Sequence, residues 1–316
     1  MSGSRIYFAT DIHGSDICFR KFINAAKFYQ ADVLILGGDI TGKMLLPILQ
    51  QGTGDFTFSW HGVEHRVSET ELPAALKQLR DAGYYPVHLT REEIAALEQD
   101  QKRVEELFVK LACEGIARWM DLAEERLQGM GVECYISPGN DDPPAIDAIL
   151  SRGGLVVNPE ERVVSLHNQW EMISCGTVNH TPWHSPRELA EEDLESKLEA
   201  LARQVRNPAR AIYNIHVPPY GTVIDKAPKL DRTLKPMILP GGVQKISVGS
   251  TAVRTLIQRY QPMLALHGHI HEAPGNVKIG RTLCLNPGSE YGEGVLRGAL
   301  IQLGKKGIED FLLTAG

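Results

Sequence analysis

The chain has 316 residues, of which 43% are hydrophobic and 23% are charged, a balance typical of soluble globular proteins. Its formal net charge of −6 argues against broad electrostatic binding to nucleic acid or acidic lipid, because both are densely negative. The five cysteines are odd in number and lack CxxC spacing, which argues against a disulfide framework. We identify no signal peptide and no run long enough to span a bilayer, so we expect a cytoplasmic protein without a membrane partner.

Short apolar runs along the chain predict buried strands. Continuous apolarity over four to six residues is typical of strands that are covered on both faces. In chain order, the predicted strands are 5–10, 33–36, 133–137, 171–175, 211–215 and 263–266. Predicted helices lie between many of them, at 16–29, 145–152, 186–204 and 250–260. This alternation indicates a layered α/β fold, in which ligand sites gather at the carboxyl ends of the strands.

Residues 52–131 depart from this alternation. Residues 56–68 alternate around Gly62 in the manner of a β-hairpin. A helix is predicted to begin at Thr90, because Glu93 completes a capping box, and helical spacing of apolar residues continues to Leu127. We interpret 52–131 as a hairpin-plus-helix insertion within a single domain of residues 1–316. Besides plain scaffold packing, two roles stay open for it: a cap over a site, or the interface of a homodimer.

Five polar clusters each follow a predicted strand. They are Asp11-Ile12-His13-Gly14, Gly37-Gly38-Asp39-Ile40, Gly139-Asn140-Asp141-Asp142, His216 and Gly268-His269-Ile270-His271. In the first and last clusters, alternate residues of an extended backbone point the same way. Taken singly, a strand-end aspartate is usually a turn former or a helix cap, and an isolated histidine is usually structural. Five such clusters in this order predict a shared metal site.

The order of these clusters resembles that of the calcineurin-like metallophosphoesterase superfamily, whose pattern is DxH, GD, GNH, H and GHxH. The match spans residues 11–271, and Asn286-Pro287-Gly288-Ser289 is similar to the final loop of bacterial members. The resemblance implies a four-layer αββα sandwich with the site along one edge of the paired sheets. It also implies a phosphoric ester hydrolase whose nucleophile is a metal-bridging hydroxide.

The resemblance further implies a centre that holds two metal ions. One ion would be bound by Asp11, His13 and His271, the other by Asn140, His216 and His269, and both by the bridging residue Asp39. Oxygen and imidazole ligands without thiolate suit Mn, Fe, Zn, Ni or Co. Two such ions clamp a phosphoryl group and lower the pKa of a shared water. Because the ligands include only two carboxylates, the loaded centre stays positive, which favours a small phosphate ester as substrate.

One position departs from the family pattern. The residue after the Gly-Asn pair is histidine in many members, where it contacts phosphate and protonates the leaving group, and it is Asp141 here. An aspartate is a poor general acid at neutral pH unless its pKa is raised, and its charge repels a phosphate dianion. We keep Asp141 as a candidate catalytic residue beside Asp39 and Asn140, and expect phosphodiesters or activated esters to be preferred over alkyl monoesters. Asp142, followed by Pro143, is typical of a helix N-cap.

Further residues near these clusters are weaker candidates. His267 is interpreted as a residue that orients a ligand. Histidines of the predicted hairpin would matter only if it folds over the metals. Candidate contacts to substrate or phosphate, for which an ordinary polar loop or solvated face is the simpler interpretation, are His180, Trp183, His184, Lys226, Lys229 and Arg232.

Two alternative functions stay open at this point. The first is a metal-binding scaffold protein with weak catalysis. The second is a metallonuclease of the same superfamily, although the acidic net charge and the absence of basic, aromatic-rich stretches argue against an enzyme that grips a duplex. Metal content separates the scaffold from the enzyme, and a nuclease assay at low salt separates the nuclease from a small-molecule esterase.

Overall fold

Two six-stranded sheets form the body of the chain in the computed structural model, which describes residues 3–52 and 54–316. In spatial order, the first sheet contains Gly307–Ala315, Arg297–Gly304, Ser4–Ala9, Val33–Gly37, Glu133–Ser137 and Val156–Val157. The second sheet contains Gly275–Ile279, Thr282–Asn286, Leu264–Leu266, Ala211–Ile215, Trp170–Cys175 and Val163–Leu166. In each sheet four neighbouring strands are parallel, and antiparallel strands lie at the edges. The predicted α/β class is confirmed.

Both faces of the first sheet are buried. Ile6 and Phe8 pack in one hydrophobic cluster with residues of the second sheet such as Ile212. Their neighbours Tyr7 and Ala9 instead belong to a cluster that includes side chains of three helices, Asp16–Phe28, Gln101–Leu127 and Asp147–Leu150. Because successive side chains of a strand point to opposite faces, a single strand contributes to two cores, which is why its sequence is continuously apolar. The second sheet packs in the same way against the helices Glu191–Ala202 and Thr251–Tyr260.

The helices begin and end close to their predicted limits, with two exceptions. The helical stretch predicted from Thr90 to Leu127 is divided at Gln99 and Asp100 into two helices, and the helix predicted over 186–204 is shorter. The described α-helices are Asp16–Phe28, Leu72–Asp81, Arg91–Glu98, Gln101–Leu127, Asp147–Leu150, Glu191–Ala202 and Thr251–Tyr260, with 3₁₀ turns at Pro144–Ile146, Pro208–Arg210 and Tyr291–Glu293. The capping box at Thr90 is confirmed, since the side chains of Thr90 and Glu93 each accept a hydrogen bond from the backbone N–H of the other residue. The helix predicted over 186–204 starts late because Glu188–Leu189 first pairs with Val178–Asn179 as a short strand.

A further sheet of four strands follows Val33–Gly37 along the chain. Its order is Val63–Ser68, Asp55–Trp60, Met44–Gln51 and Tyr84–His88. The predicted hairpin is present: Asp55–Trp60 and Val63–Ser68 pair antiparallel and are the two strands at one edge of this sheet. A separate small hydrophobic cluster of this sheet and the adjoining helix consists of Leu46, Ile48, Phe58, Leu72 and Leu79. The sheet therefore has a core of its own.

Short two-stranded ribbons complete the described structure. They pair Lys226–Pro228 with Lys245–Ser247 and Ile238–Leu239 with Gly242–Val243. Within residues 3–52 and 54–316, none of the helices combines the length and apolar character that crossing a bilayer requires.

Candidate metal centre

The predicted metal ligands converge at the carboxyl ends of the parallel strands. The first sheet contributes residues that follow Ser4–Ala9, Val33–Gly37 and Glu133–Ser137, and the second contributes residues that follow Ala211–Ile215 and Leu264–Leu266. Two separate triplets have ligand atoms that all lie within 4.8 Å of one another: Asp11, His13 and His271 in one, and Asp39, His216 and His269 in the other. A third group that meets the same distance combines one member of each triplet, His13 and Asp39, with Asp141. The structure thus brings together six of the seven predicted ligands as two adjacent triplets.

Asp39 faces both triplets. Its Oδ2 atom lies 3.3 Å from His216 Nε2 and 3.8 Å from His13 Nε2. Its Oδ1 atom accepts a hydrogen bond from the backbone N–H of Asp141 at 2.9 Å. The carboxylate therefore lies between the two triplets.

Asn140, the seventh predicted ligand, presents its amide oxygen without a hydrogen-bond donor. Its Nδ2 atom donates to Asp141 Oδ1 and to Ser185 Oγ, each at 2.8 Å. Its Oδ1 atom is buried and has no hydrogen-bond partner among the described residues. Buried polar atoms rarely lack a partner in folded proteins. An unpartnered oxygen held in place through the nitrogen of the same amide fits a metal ligand.

His216 shows the same pattern through its imidazole ring. Its Nδ1 atom contacts the carbonyl oxygen of Gly37 at 2.9 Å. Its Nε2 atom is buried and makes no hydrogen bond within the described part of the chain. Metal-binding histidines are commonly fixed by one ring nitrogen on a backbone carbonyl while the other faces the ion. The donor set of oxygen and imidazole nitrogen atoms thus fits the expected ions.

The charges of the centre depend strongly on one another. Burial would lower the pKa of His216, but Asp39 and Asp11 outweigh burial and raise the pKa to about 10. Burial would raise the pKa of Asp39, but His216 and His13 hold it well below its usual range. Burial, reinforced by His216, lowers the pKa of His269 to about 4. The two buried carboxylates therefore favour positive charge in the space between the triplets.

The backbone of the centre is strained. Asp11, His13, Asp39 and His269 have φ values of 53°, 38°, 49° and 65°, a region that residues with a Cβ rarely adopt and that costs of order 1–3 kcal/mol each. Glycine allows separate segments of the backbone to lie close to one another here. A Cβ on Gly268 would lie 2.2 Å from Asp11 Oδ2, and a Cβ on Gly139 would lie 2.3 Å from the Asp39 nitrogen. Strain of this kind concentrates at functional sites.

The interpretation of Asp142 as a helix N-cap is wrong. The 3₁₀ turn begins at Pro144, and its cap residue, Pro143, makes no capping side-chain hydrogen bond. The buried Asp142 carboxylate instead accepts the backbone N–H groups of Thr41 at 2.8 Å and Gly139 at 2.7 Å. It therefore ties the loop that carries Asp39 to the loop that carries Asn140.

Lys43 is a functional candidate that the sequence analysis missed. Its Nζ atom lies 3.2 Å from Asp141 Oδ2. Burial would lower the pKa of Lys43, but Asp141 and Asp39 outweigh burial and raise it. Burial and the charge of Asp39 raise the pKa of Asp141 to about 6, against the opposing effect of Lys43. The available signal was a cation four residues after Asp39 in the same strand-end loop.

Two further contacts connect the last loops of the chain to the centre. The ring of Tyr291 lies with its centroid 4.8 Å from that of His13. Ser289 donates through Oγ to the carbonyl oxygen of Asp11 at 2.6 Å. The Asn286-Pro287-Gly288-Ser289 motif therefore lies beside the first cluster, and Tyr291 forms part of the wall next to it.

His267 contacts the strand end that carries His216. Its Nδ1 atom lies 2.7 Å from the carbonyl oxygen of Ile215 and 3.1 Å from that of Val217. Burial lowers its pKa to about 4, so the neutral ring is the relevant form. These contacts place His267 where it orients the backbone on either side of His216.

The remaining candidates make contacts other than those to the predicted ligands. Lys226 donates to Ser247, and His180 approaches Glu188. On the hairpin, His65 stacks on Phe58. The others are exposed or half-buried, and no hydrogen bond or ion pair within the described ranges joins them to a predicted ligand: His61, Trp183, His184, Lys229 and Arg232.

Comparisons with known proteins bear mainly on the fold. No protein-family model matches the chain. The chain is 30% identical over 160 residues to the uncharacterised protein MJ1162 of Methanocaldococcus jannaschii, a match that covers 49% of this chain and 64% of that protein. The crystal structure of TT1561 of Thermus thermophilus superposes with a TM-score of 0.54 at 14% identity, covering 100% and 99% of the two chains. Another crystal structure reaches 0.59 at 17% identity, covering 99% and 98%.

These similarities extend over nearly the whole chain and show a shared α/β fold. At 14% and 17% identity they bear on the fold alone, and the superfamily inferred from the five clusters remains a prediction.

Proposed function

We propose that the chain is a dinuclear metal-dependent phosphoesterase that hydrolyses phosphodiesters or activated phosphate esters. The observation that carries this proposal is the convergence of two ligand triplets, each with atoms within 4.8 Å of one another, around the shared carboxylate of Asp39. The ions would be held by Asp11, His13, Asp39, Asn140, His216, His269 and His271. When bound, two such ions supply a hydroxide nucleophile near neutral pH and positive charge for the phosphate.

The donor atoms favour borderline or hard transition metals. They are carboxylate and amide oxygens and imidazole nitrogens, without a thiolate, which suits Mn, Fe, Zn, Ni or Co. The unpartnered Asn140 Oδ1 and His216 Nε2 atoms would gain a partner on metal binding. The positive charge favoured between Asp11 and Asp39 supports the same assignment.

Asp39 and Asp141 have roles beyond metal binding. Asp39 accepts a hydrogen bond from the backbone N–H of Asp141 and thereby fixes the loop that carries Asn140. Asp141 is engaged through both carboxylate oxygens, by the Asn140 amide and the Lys43 ammonium. With a pKa of about 6, Asp141 is mostly ionised at neutral pH, and both of its oxygens face donors, so only a small fraction carries a proton that it could give to a leaving group. Esters whose leaving group is already stable are therefore the preferred substrates.

The wider architecture supports a small-molecule enzyme with one catalytic domain. We propose a four-layer αββα sandwich over residues 1–316, supported by one hydrophobic cluster between the sheets and one on the outer face of each. Residues 52–131 are proposed as an insertion that acts as a cap or as a homodimer interface. A cytoplasmic location and the absence of a nucleic-acid partner remain part of the same proposal.

Hydrolysis of a panel of esters tests the proposal. Protein reconstituted with Mn, Ni, Fe or Zn should hydrolyse bis(4-nitrophenyl) phosphate and other diesters with the best metal, and should hydrolyse alkyl monoesters more slowly. Metal-free protein is the control. Alkyl monoester turnover clearly above diester turnover would contradict the predicted substrate class, and inactivity with every metal would contradict phosphoester hydrolysis itself.

A further inference from the structure

Lys43 lies beside the candidate metal centre, and the function proposed above gives it only a contact to Asp141. Its Nζ atom is 3.2 Å from Asp141 Oδ2, and its side chain is 43% exposed while that of Asp141 is 30% exposed. The ammonium is therefore reachable from solvent and contacts the residue that follows a predicted ligand. A lysine placed in this way can contact a molecule that enters the centre.

The backbone of Lys43 is fixed by the neighbouring four-stranded sheet. The backbone N–H of Gly42 donates to the buried hydroxyl of Tyr85 at 2.8 Å. The backbone segments at Gly42 and Gly83 lie so close together that a Cβ on Gly42 would lie 2.4 Å from the carbonyl oxygen of Gly83. The backbone next to Lys43 is thus anchored beside the centre.

Asp141 contacts three groups of the same centre. Its Oδ1 atom accepts from Asn140 Nδ2 at 2.8 Å, its Oδ2 atom faces Lys43, and its backbone N–H donates to Asp39 Oδ1 at 2.9 Å. Each carboxylate oxygen is thus turned toward a donor on the protein. This geometry suits a residue that orients its neighbours better than one that delivers a proton.

We propose that Lys43 binds a non-bridging oxygen of the substrate phosphate and that Asp141 is a positioning residue for the Lys43 ammonium and the Asn140 amide. The proposal rests on the phosphoesterase function, since that function supplies the phosphate. An ammonium has three N–H donors, so one can contact Asp141 while the others face the substrate. Lys43 also offsets the negative charge of Asp141, which would otherwise repel the phosphate.

Kinetics of the full-length, Mn-loaded protein test the role of Lys43. The probes are bis(4-nitrophenyl) phosphate for turnover and inorganic phosphate for binding by titration calorimetry. For Lys43→Met we expect kcat/KM and phosphate affinity to fall about 10- to 100-fold, because a hydrogen bond to a charged group is lost. Lys43→Arg should recover most of both losses. Lys27→Met is the matched control, because Lys27 is an exposed lysine in the last turn of the helix Asp16–Phe28, outside the proposed insertion, and it should behave as the wild type.

Two results would overturn the role of Lys43. One is a Lys43→Met protein whose kcat/KM and phosphate affinity both stay within about twofold of the wild type. The other is a Lys43→Met protein that has lost its metal, since the lysine would then support the centre rather than the substrate. If the wild type hydrolyses no ester but binds phosphate in a way that Lys43→Met weakens, the proposed hydrolysis fails while the phosphate contact stands.

A series of aryl phosphodiesters with different leaving groups tests the role of Asp141. Asp141→Asn removes the carboxylate but keeps an oxygen that can accept from Lys43. We expect the rate to fall, with its dependence on leaving-group pKa unchanged from the wild type. A steeper dependence in Asp141→Asn would identify Asp141 as a general acid and overturn its assignment as a positioning residue.

Discussion

Asp39→Asn should lower the turnover of the best phosphodiester at least about a thousandfold, because the ions contribute several kcal/mol of transition-state stabilisation. Asp39 contacts both ligand triplets, and its Oδ2 atom lies within 3.3 Å of His216 and 3.8 Å of His13. An asparagine keeps the shape of the side chain but removes the negative charge that attracts two cations. We therefore expect weaker metal binding as well as slower turnover, measured by steady-state kinetics at several Mn concentrations.

Asp193→Asn provides the control for this substitution. Asp193 is an exposed aspartate in the first turn of the helix Glu191–Ala202, outside the proposed insertion, so its replacement should leave turnover and metal affinity unchanged. An Asp39→Asn protein with the turnover and metal affinity of the wild type would show that Asp39 does not bridge the ions.

Removal of metal should destabilise the folded chain. A ligand that binds only the folded state stabilises it by about 2.7 kcal/mol per site at 100 times its Kd, so two sites contribute about 5 kcal/mol. In a domain of this size roughly 2 °C of Tm corresponds to each kcal/mol, so chelation should lower the Tm by about 10 °C. Calorimetry of the Mn-loaded and chelated protein measures this difference.

The Asp39→Asn protein again serves as the comparison for the chelation experiment. If the stabilisation arises in the predicted centre, this variant should lose most of its metal-dependent increment in Tm while the chelated proteins unfold at similar temperatures. Equal Tm values for the loaded and chelated wild type would contradict a metal site built into the fold.

The sequence predicted most of the central strands because they are buried on both faces, but it missed Thr282–Asn286 and Arg297–Gly304. Glu133–Ser137 and Ala211–Ile215 have their predicted limits, since each is a short, mostly apolar run that lies just before a polar cluster. The strands Met44–Gln51 and Tyr84–His88 were not predicted. Each contains a proline and is only partly buried, so neither shows the apolar pattern of a central strand.

The candidate centre was predictable where residue type and order alone define the chemistry. The convergence of Asp11, Asp39 and His216 followed from their positions at strand ends. The contact between Lys43 and Asp141 did not follow, because it depends on how Gly42 is held by Tyr85, a residue distant in the chain. Asp142 was misjudged for a related reason: its carboxylate bonds a loop about 100 residues away rather than the turn that follows it.

Metal stoichiometry tests the central claim most directly. Mass spectrometry of the purified, Mn-reconstituted protein should give two ions per chain. His271→Ala removes one member of the first triplet only and should give one ion, because the second triplet and Asp39 remain. A wild type without bound metal, or a His271→Ala protein that still holds two ions, would contradict the two-metal centre.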